Sequence, residues 1–399
     1  MARVSISRGK DIDKTVRDAL SLLGGIRGFV REGDVVFIKP NIVAQFFPAT
    51  TKPEVVRSII ELCIEANAKK VYVGENPMCQ ITSHEIFETT GLKEYYESYG
   101  AKVLLLDNEE YVNFNVPGGK VYKRIKLPKV LMESDVYISV PKMKTHCITK
   151  VTLAIKNAHG LLRDVDKGKH HCFELEQKLV DINKARSPNL VVMDAFSAME
   201  GFGPTFGTAK KMNLALASDN IVSIDSVASR IMGYSPMSIG TTKIAANDGL
   251  GEPNPIVLGI PIEKVKRRFK PGTFTIPKRI GGARFVGGKT DSGYVGMLKL
   301  GLGLFFGFSK SFSEEFGNIK GLTIVYGYVQ EGIQDDKVLL YGDDAMRTKV
   351  KARRILKMKG HPPTNWITLM KWITSECNLD VLDYFINSLW SAHEHRGGK

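Results

Sequence analysis

Strand-length apolar runs alternate with helical patterns through the first two thirds of this chain, and that alternation restricts the fold more than any other feature. Val35–Lys39 (VVFIK) reads as a buried strand. Pro53–Asn67 then spaces its apolar residues at helical intervals behind a proline in its first turn. Val71–Gly74, Val103–Leu106, Val136–Val140, Leu190–Met193 and Ile221–Ile224 read as further strands, and Ser83–Thr90 as a short helix closed by Gly91. Pro117-Gly118-Gly119 marks a hairpin inserted between Val112 and Leu127. The pattern predicts an α/β fold, a mainly parallel open sheet with helices on both faces. Near residue 260 the texture changes: Lys264 to Lys289 holds nine Lys or Arg and no acid, amid prolines and glycines. The expected organisation is an α/β ligand-binding core over 1–260, a basic Gly/Pro-rich insertion or small subdomain over 261–320, and a return to the core with a C-terminal helix over 321–399.

In an open parallel sheet, ligands bind in the crevice beyond the carboxyl ends of the strands. Each expected strand is succeeded by polar or ionisable residues: Lys39 and Asn41, Glu75 and Asn76, Lys142 to His146, Asp194, and Asp225. Thr145, Thr149, Thr152, Lys156 and His159 recur at helical spacing, with Ile148, Val151, Ile155 and Leu162 on another side. That register favours a helix over Thr149–Leu162 with one polar face, against a strand in which Val151, Leu153 and Ile155 alternate. Lys150 falls off the polar face.

Ammonium groups, hydroxyls and free helix-start N–H groups suit phosphate or carboxylate oxygens. Lys142, Lys144 and Lys156 would hold such oxygens, and Thr145, Thr149 and Asn157 would orient them. Lys39, Asn41, Glu75 and Asn76 complete the expected ligand-binding set, and His171, of the adjacent pair His170-His171, would face the crevice. His146 is the acid/base candidate. Asp194 or Asp225 would be a second base or a metal ligand, with capping of the following helix the structural alternative for Asp225. The Gly201–Gly207 stretch (GFGPTFG) reads as a tight loop near the crevice rather than a phosphate cradle.

The net charge of +14 attracts anions, whether small molecules, nucleic acid or an anionic membrane surface. No standard nucleic-acid module is visible, which speaks against nucleic acid. The stretch GMLKLGLGLFFGF (296–308) is too short to span a bilayer, and its glycines weaken a stable amphipathic helix at a membrane surface. Five scattered cysteines without a CxxC pair argue against an iron–sulphur cluster, a thiolate zinc site or a disulfide framework. No apolar run follows the basic start, so the chain reads as cytoplasmic.

Several of these motifs together resemble a known family. KPN at 39–41, the Thr51/Pro53-Glu54 helix start, VGEN at 73–76, VPKMKTH at 140–146, T-x-x-T-x-x-x-K-N at 149–157, Asp194-Ala195 and Gly201-Phe202-Gly203-Pro204 are similar to the uncharacterised family known as domain of unknown function 362. Some members carry ferredoxin-type cysteine clusters, so the resemblance implies a link with redox metabolism and a redox protein partner. This chain has no such cluster. A remoter resemblance is to the lactate racemase family, whose nickel-pincer nucleotide is tethered through a lysine. His146 and Lys156 stand in comparable places, but the glycine-rich run before that lysine is missing. The resemblance implies a nucleotide-like cofactor or a divalent metal near these residues. The leading expectation is an enzyme acting on or through an anionic small molecule, by redox, isomerase or racemase chemistry. A carrier module for a redox partner is the alternative, as is a nucleic-acid or membrane-surface binder using 264–308.

Overall fold

A computed structural model describes residues 1–43, 48–77, 82–163, 174–205, 207–272, 276, 278–280, 282–289, 295, 298 and 321–360. His171 and the expected C-terminal helix lie outside these residues, as does most of 290–320. The chain divides into two units, one of Met1–His170 with Leu175–Thr273, the other of His171–Glu174 with Phe274–Lys399.

The first unit is built on a ten-stranded sheet. Its strands are β1 (Arg3–Arg8), β2 (Val35–Pro40), β3 (Lys70–Glu75), β4 (Lys102–Leu105), β7 (Val136–Val140), β8 (Lys142–His146), β9 (Lys150–Thr152), β10 (Leu190–Glu200), β11 (Thr208–Ser218) and β12 (Ile256–Gly259). Between β4 and β7, β5 (Tyr111–Asn115) and β6 (Arg124–Pro128) form the separate antiparallel hairpin that the sequence predicted. The main order is β12-β1-β11-β10-β7-β2-β3-β4. The run β10-β7-β2-β3-β4 is parallel throughout, while β11 runs antiparallel to both β10 and β1.

Side chains alternate across the parallel strands, so each strand feeds two cores. Phe37, Tyr137, Val191 and Met193 pack to one side. Val36, Ile38, Val136, Ile138 and Val192 pack to the other. Burying each such side chain is worth about 1.5–3 kcal/mol, which explains why four or five apolar residues suffice to specify a strand here. Helices α1 (Ile12–Ser21) and α2 (Pro53–Glu65) cover the second face through Val16, Leu20, Val55, Val56, Ile59 and Ile60. Between α2 and the next large helix come α3 (Ser83–Thr89), α4 (Leu92–Glu97), α5 (Lys129–Glu133) and α6 (Ala154–Asn157). Helices α7 (Leu175–Ala185) and α8 (Ile221–Ile231) cover the first face.

Three local readings are corrected. Ile221–Ile224 is the first turn of α8, with Asn220 as its N-cap, accepting from the Ser223 N–H. A short apolar run does not distinguish strand from buried helix, and Asn220 was the overlooked start signal. Leu190–Met193 is only the beginning of β10, so Asp194 is inside a strand. Thr149–Leu162 is not one helix: β9 pairs antiparallel with β8, and helix begins only at Ala154. The reason is remote in sequence. The Asp225 carboxylate, on α8, accepts the N–H groups of Ala154 (2.7 Å) and Ile155 (3.1 Å) and so fixes where that turn starts.

In the second unit, β14 (Ala283–Gly287), β15 (Leu322–Tyr326), β17 (Lys337–Tyr341) and β19 (Arg354–Met358) lie side by side in parallel. The strand β13 (Arg279–Ile280) is antiparallel to β14. Leu322 faces Lys337, which faces Arg354, so the chain adds one strand per circuit. On the return legs β16 (Ile333–Gln334) pairs with β18 (Val350–Lys351). Val325, Val329, Ile333, Val338, Leu340 and Ala345 form its small core.

Candidate functional site

The carboxyl ends of β2, β3 and β7 lie at one edge because these strands are parallel and in register, with Lys39 opposite Ser139 and Pro40 opposite Val140. Pro40 closes β2, and the chain leaves the sheet at Asn41, whose N–H donates to Thr51 Oγ1 at 3.0 Å. Thr51 in turn donates to the Val140 carbonyl at 2.8 Å, tying the start of α2 to the end of β7.

At this edge Lys39 Nζ donates to Glu75 Oε2 (2.8 Å), to the Pro40 carbonyl (2.9 Å) and to Asn157 Oδ1 (3.3 Å). Asn157 is the hub. Its Oδ1 also accepts from Asn41 Nδ2 (3.1 Å), and its own amide donates to the Lys39 carbonyl and to Ser139 Oγ. Glu75 further accepts the N–H groups of Ile42 and Asn76. A Cβ at Gly160 would overlap the Glu75 carboxylate, so a glycine there lets the backbone approach it. Asn76 donates to the Leu162 carbonyl at 2.8 Å.

Beyond β7, Pro141 interrupts the strand, and the chain resumes as β8 beside β10. Lys142 and Asp194 face each other in that register and form an ion pair at 2.7 Å, both fully buried. Asp194 also accepts the N–H of Lys52, just before α2, and that of Phe196. Burial lowers the Lys142 pKa, and the Asp194 charge opposes that shift.

Lys144 differs. It is 0% exposed, and among the described residues its Nζ donates to a neutral acceptor, the Ala49 carbonyl, at 2.6 Å. Burial pushes its pKa well below the ordinary lysine value, and the positive charges of Lys156 and Lys142 push it further. Glu75 acts in the opposite sense, and Lys39 adds to the lowering. Lys156, on α6, is itself buried at 8% exposure. The four expected lysines Lys39, Lys142, Lys144 and Lys156 therefore converge on one buried region.

The other expected residues are close by. Thr145 donates to the Gly201 carbonyl and Thr149 to that of Val151. His146 is buried, and its Nδ1 accepts the N–H groups of Ile148 (3.0 Å) and Thr149 (3.3 Å) across its own turn. That geometry puts the ring proton on Nε2. The loop that starts at Gly201 packs on this turn: Cys147 N–H donates to the Gly203 carbonyl. On the same turn, a Cβ at Gly272 would come within 2.6 Å of the His146 backbone nitrogen. Lys150 is exposed and left-handed (φ 64°), with its ammonium on the Ser238 carbonyl.

Asp225 is fully buried, and burial raises its carboxyl to about 7 against the pull of its two backbone N–H donors. Sequence reasoning named Thr51 only as part of the helix start shared with the family, and it missed Ser139, Ala49 and Gly160, which act through a hydroxyl, a carbonyl or the absence of a side chain. Among the described residues no three His, Cys, Asp or Glu side chains gather so as to hold a metal ion.

The fold and site define an α/β domain with a cluster of buried lysines at the carboxyl edge of its sheet. Residues 36–230 match the model of the family described as Domain of unknown function (DUF362), in agreement with the motifs. The thylakoid-associated protein sll1697 of Synechocystis sp. is 28% identical over 246 residues, spanning 59% of this chain and 74% of that protein. The lactate racemase apoprotein of Thermoanaerobacterium thermosaccharolyticum shares 12% identity at a TM-score of 0.40, covering 82% of this chain and 68% of that one. Among the described residues, no helix is long and apolar enough to cross a membrane.

Proposed function

We propose that the first unit is the ligand-binding domain of an enzyme whose substrate or cofactor carries a phosphate or carboxylate. The observation that supports it is Lys144: a fully buried lysine with a neutral carbonyl as acceptor, beside the further positive charges of Lys142, Lys156 and Lys39. Burying a cation without a counter-ion is costly, whereas an oxyanion placed among these ammonium groups would supply the missing charge. Lys142 and Lys39 would contribute field while staying bound to Asp194 and Glu75. Lys144 and Lys156 would contact the ligand. We place the protein in the cytoplasm. Contact with an anionic lipid surface would fall to the exposed basic run Lys264, Lys266, Arg267, Arg268 and Lys270, a reading that the thylakoid association in the relative's name supports.

The test is isothermal titration with inorganic phosphate and with pyruvate. Binding is expected to weaken about tenfold or more in Lys156→Gln. Absence of binding by either anion, or affinity unchanged in Lys156→Gln, would overturn the reading.

A further inference from the structure

Lys144 has a second property that charge alone does not use: burial against a carbonyl, without a carboxylate partner among the described residues, favours the neutral amine, and a neutral amine is a nucleophile. We propose that Lys144 forms an imine with the carbonyl carbon of an anionic aldehyde or 2-oxo acid bound in the lysine cluster. This rests on the anion-binding reading and names its substrate class.

Geometry carries the proposal. Lys144 is on a strand held in the sheet on both sides, by β10 and β9, so its side chain starts from a fixed place. Its Nζ has one acceptor at 2.6 Å, the Ala49 carbonyl, and no carboxylate among the described residues to hold a third proton on it. Lys142, two residues earlier on the same strand, is the contrast: Asp194 pins its ammonium at 2.7 Å and makes it a poor nucleophile. The neighbouring positive charges of Lys156 and Lys142 both favour the neutral amine at Lys144 and attract the anionic group of the incoming carbonyl compound. Desolvation beside other cations is a general way to activate a lysine amine.

The step balances without an oxidant or reductant. The Nζ lone pair forms a bond to the carbonyl carbon, both amine hydrogens leave with the carbonyl oxygen as water, and a C=N bond remains. A proton from solvent makes it an iminium, which withdraws electrons from the adjacent carbon and acidifies its C–H. That chemistry suits exchange of a proton next to a carbonyl, within the isomerase class.

The experiment is borohydride trapping of the full-length protein with pyruvate as the carboxylate probe and glycolaldehyde phosphate as the phosphate probe, read by tryptic peptide mapping. Reduction after pyruvate leaves a carboxyethyl-lysine that trypsin does not cut, so Lys144 modification appears as the peptide Met143–Lys150. Trapping at Lys144 is expected to exceed that at exposed Lys150 by about tenfold or more at neutral pH, and to vanish in Lys144→Arg and Lys144→Met. Inorganic phosphate should compete with both probes. Equal labelling of Lys144 and Lys150, or labelling of other lysines alone, overturns the proposal. If phosphate binds as expected but no adduct forms, the imine fails and the anion site stands; if neither occurs, both fail.

Discussion

Lys39 and Lys144 are both fully buried near the same edge of the sheet, yet their ammonium groups end in opposite surroundings. Lys39 sits in a network with the Glu75 carboxylate and the Asn157 amide oxygen, which match its charge within the chain. Lys144 meets a backbone carbonyl and the positive charges of its neighbours. The first arrangement is balanced in charge by itself and holds β2, β3 and α6 together. The second is incomplete in charge, which is what a binding site looks like before its ligand is counted. Buried polar clusters of similar composition can thus differ in purpose, and the presence or absence of a carboxylate partner distinguishes them.

The largest expected effect probes the complete corner. Glu75→Gln leaves the Lys39 ammonium buried without its charge partner, and breaking a buried pair on one side costs about 3–5 kcal/mol. Urea denaturation of the variant should show that loss, and the double change with Lys39→Met should recover most of it. A loss below about 1 kcal/mol would erase the contrast with Lys144.

A smaller effect concerns Asp225, which sets where α6 starts and so where Asn157 and Lys156 stand. Its carboxyl is raised from 3.8 to about 7, so the folded protein holds this proton more tightly than the unfolded chain across that window. The folded state then binds more protons, and stability falls as pH rises from 3.8 towards 7; below 3.8 the contribution is fully present. In Asp225→Asn this slope, on the order of 1 kcal/mol per pH unit, should disappear from denaturation midpoints measured across the window.

The smallest effect is expected at the incomplete site. Lys144→Met keeps the volume and removes the buried amine, so stability at neutral pH should stay within about 1 kcal/mol of the parent, with the orphaned Ala49 carbonyl offsetting the gain. A large destabilisation, measured in the same urea series as Glu75→Gln, would make Lys144 as structural as Lys39 and collapse the comparison.

The parallel strands were legible because each is buried on both faces, and Val35–Lys39, Val71–Gly74 and Val136–Val140 announce that as unbroken apolar runs. The strand β11 was not read, although Met212, Leu214 and Leu216 alternate as a strand should. The candidate site was legible as a set of residues for the same reason as the strands. Once their carboxyl ends were placed, Lys39, Glu75 and Lys142 had to lie at one edge.

Chain order alone thus carried a local layer of information: apolar periodicity marked which segments cross the sheet, and strand ends marked which polar residues gather. Contacts between distant segments settled the rest. The threonines of 145–159 carry helical spacing, but pairing of β9 with β8 outweighed it, and a carboxylate from α8 set the start of α6. Which lysine received a counter-ion was likewise invisible in the chain order. Lys142 and Lys144 are two residues apart, and the register against β10 gave Asp194 to the first and left the second on a carbonyl. Charge pairing depends on distances across the fold, and no spacing along the chain encodes them.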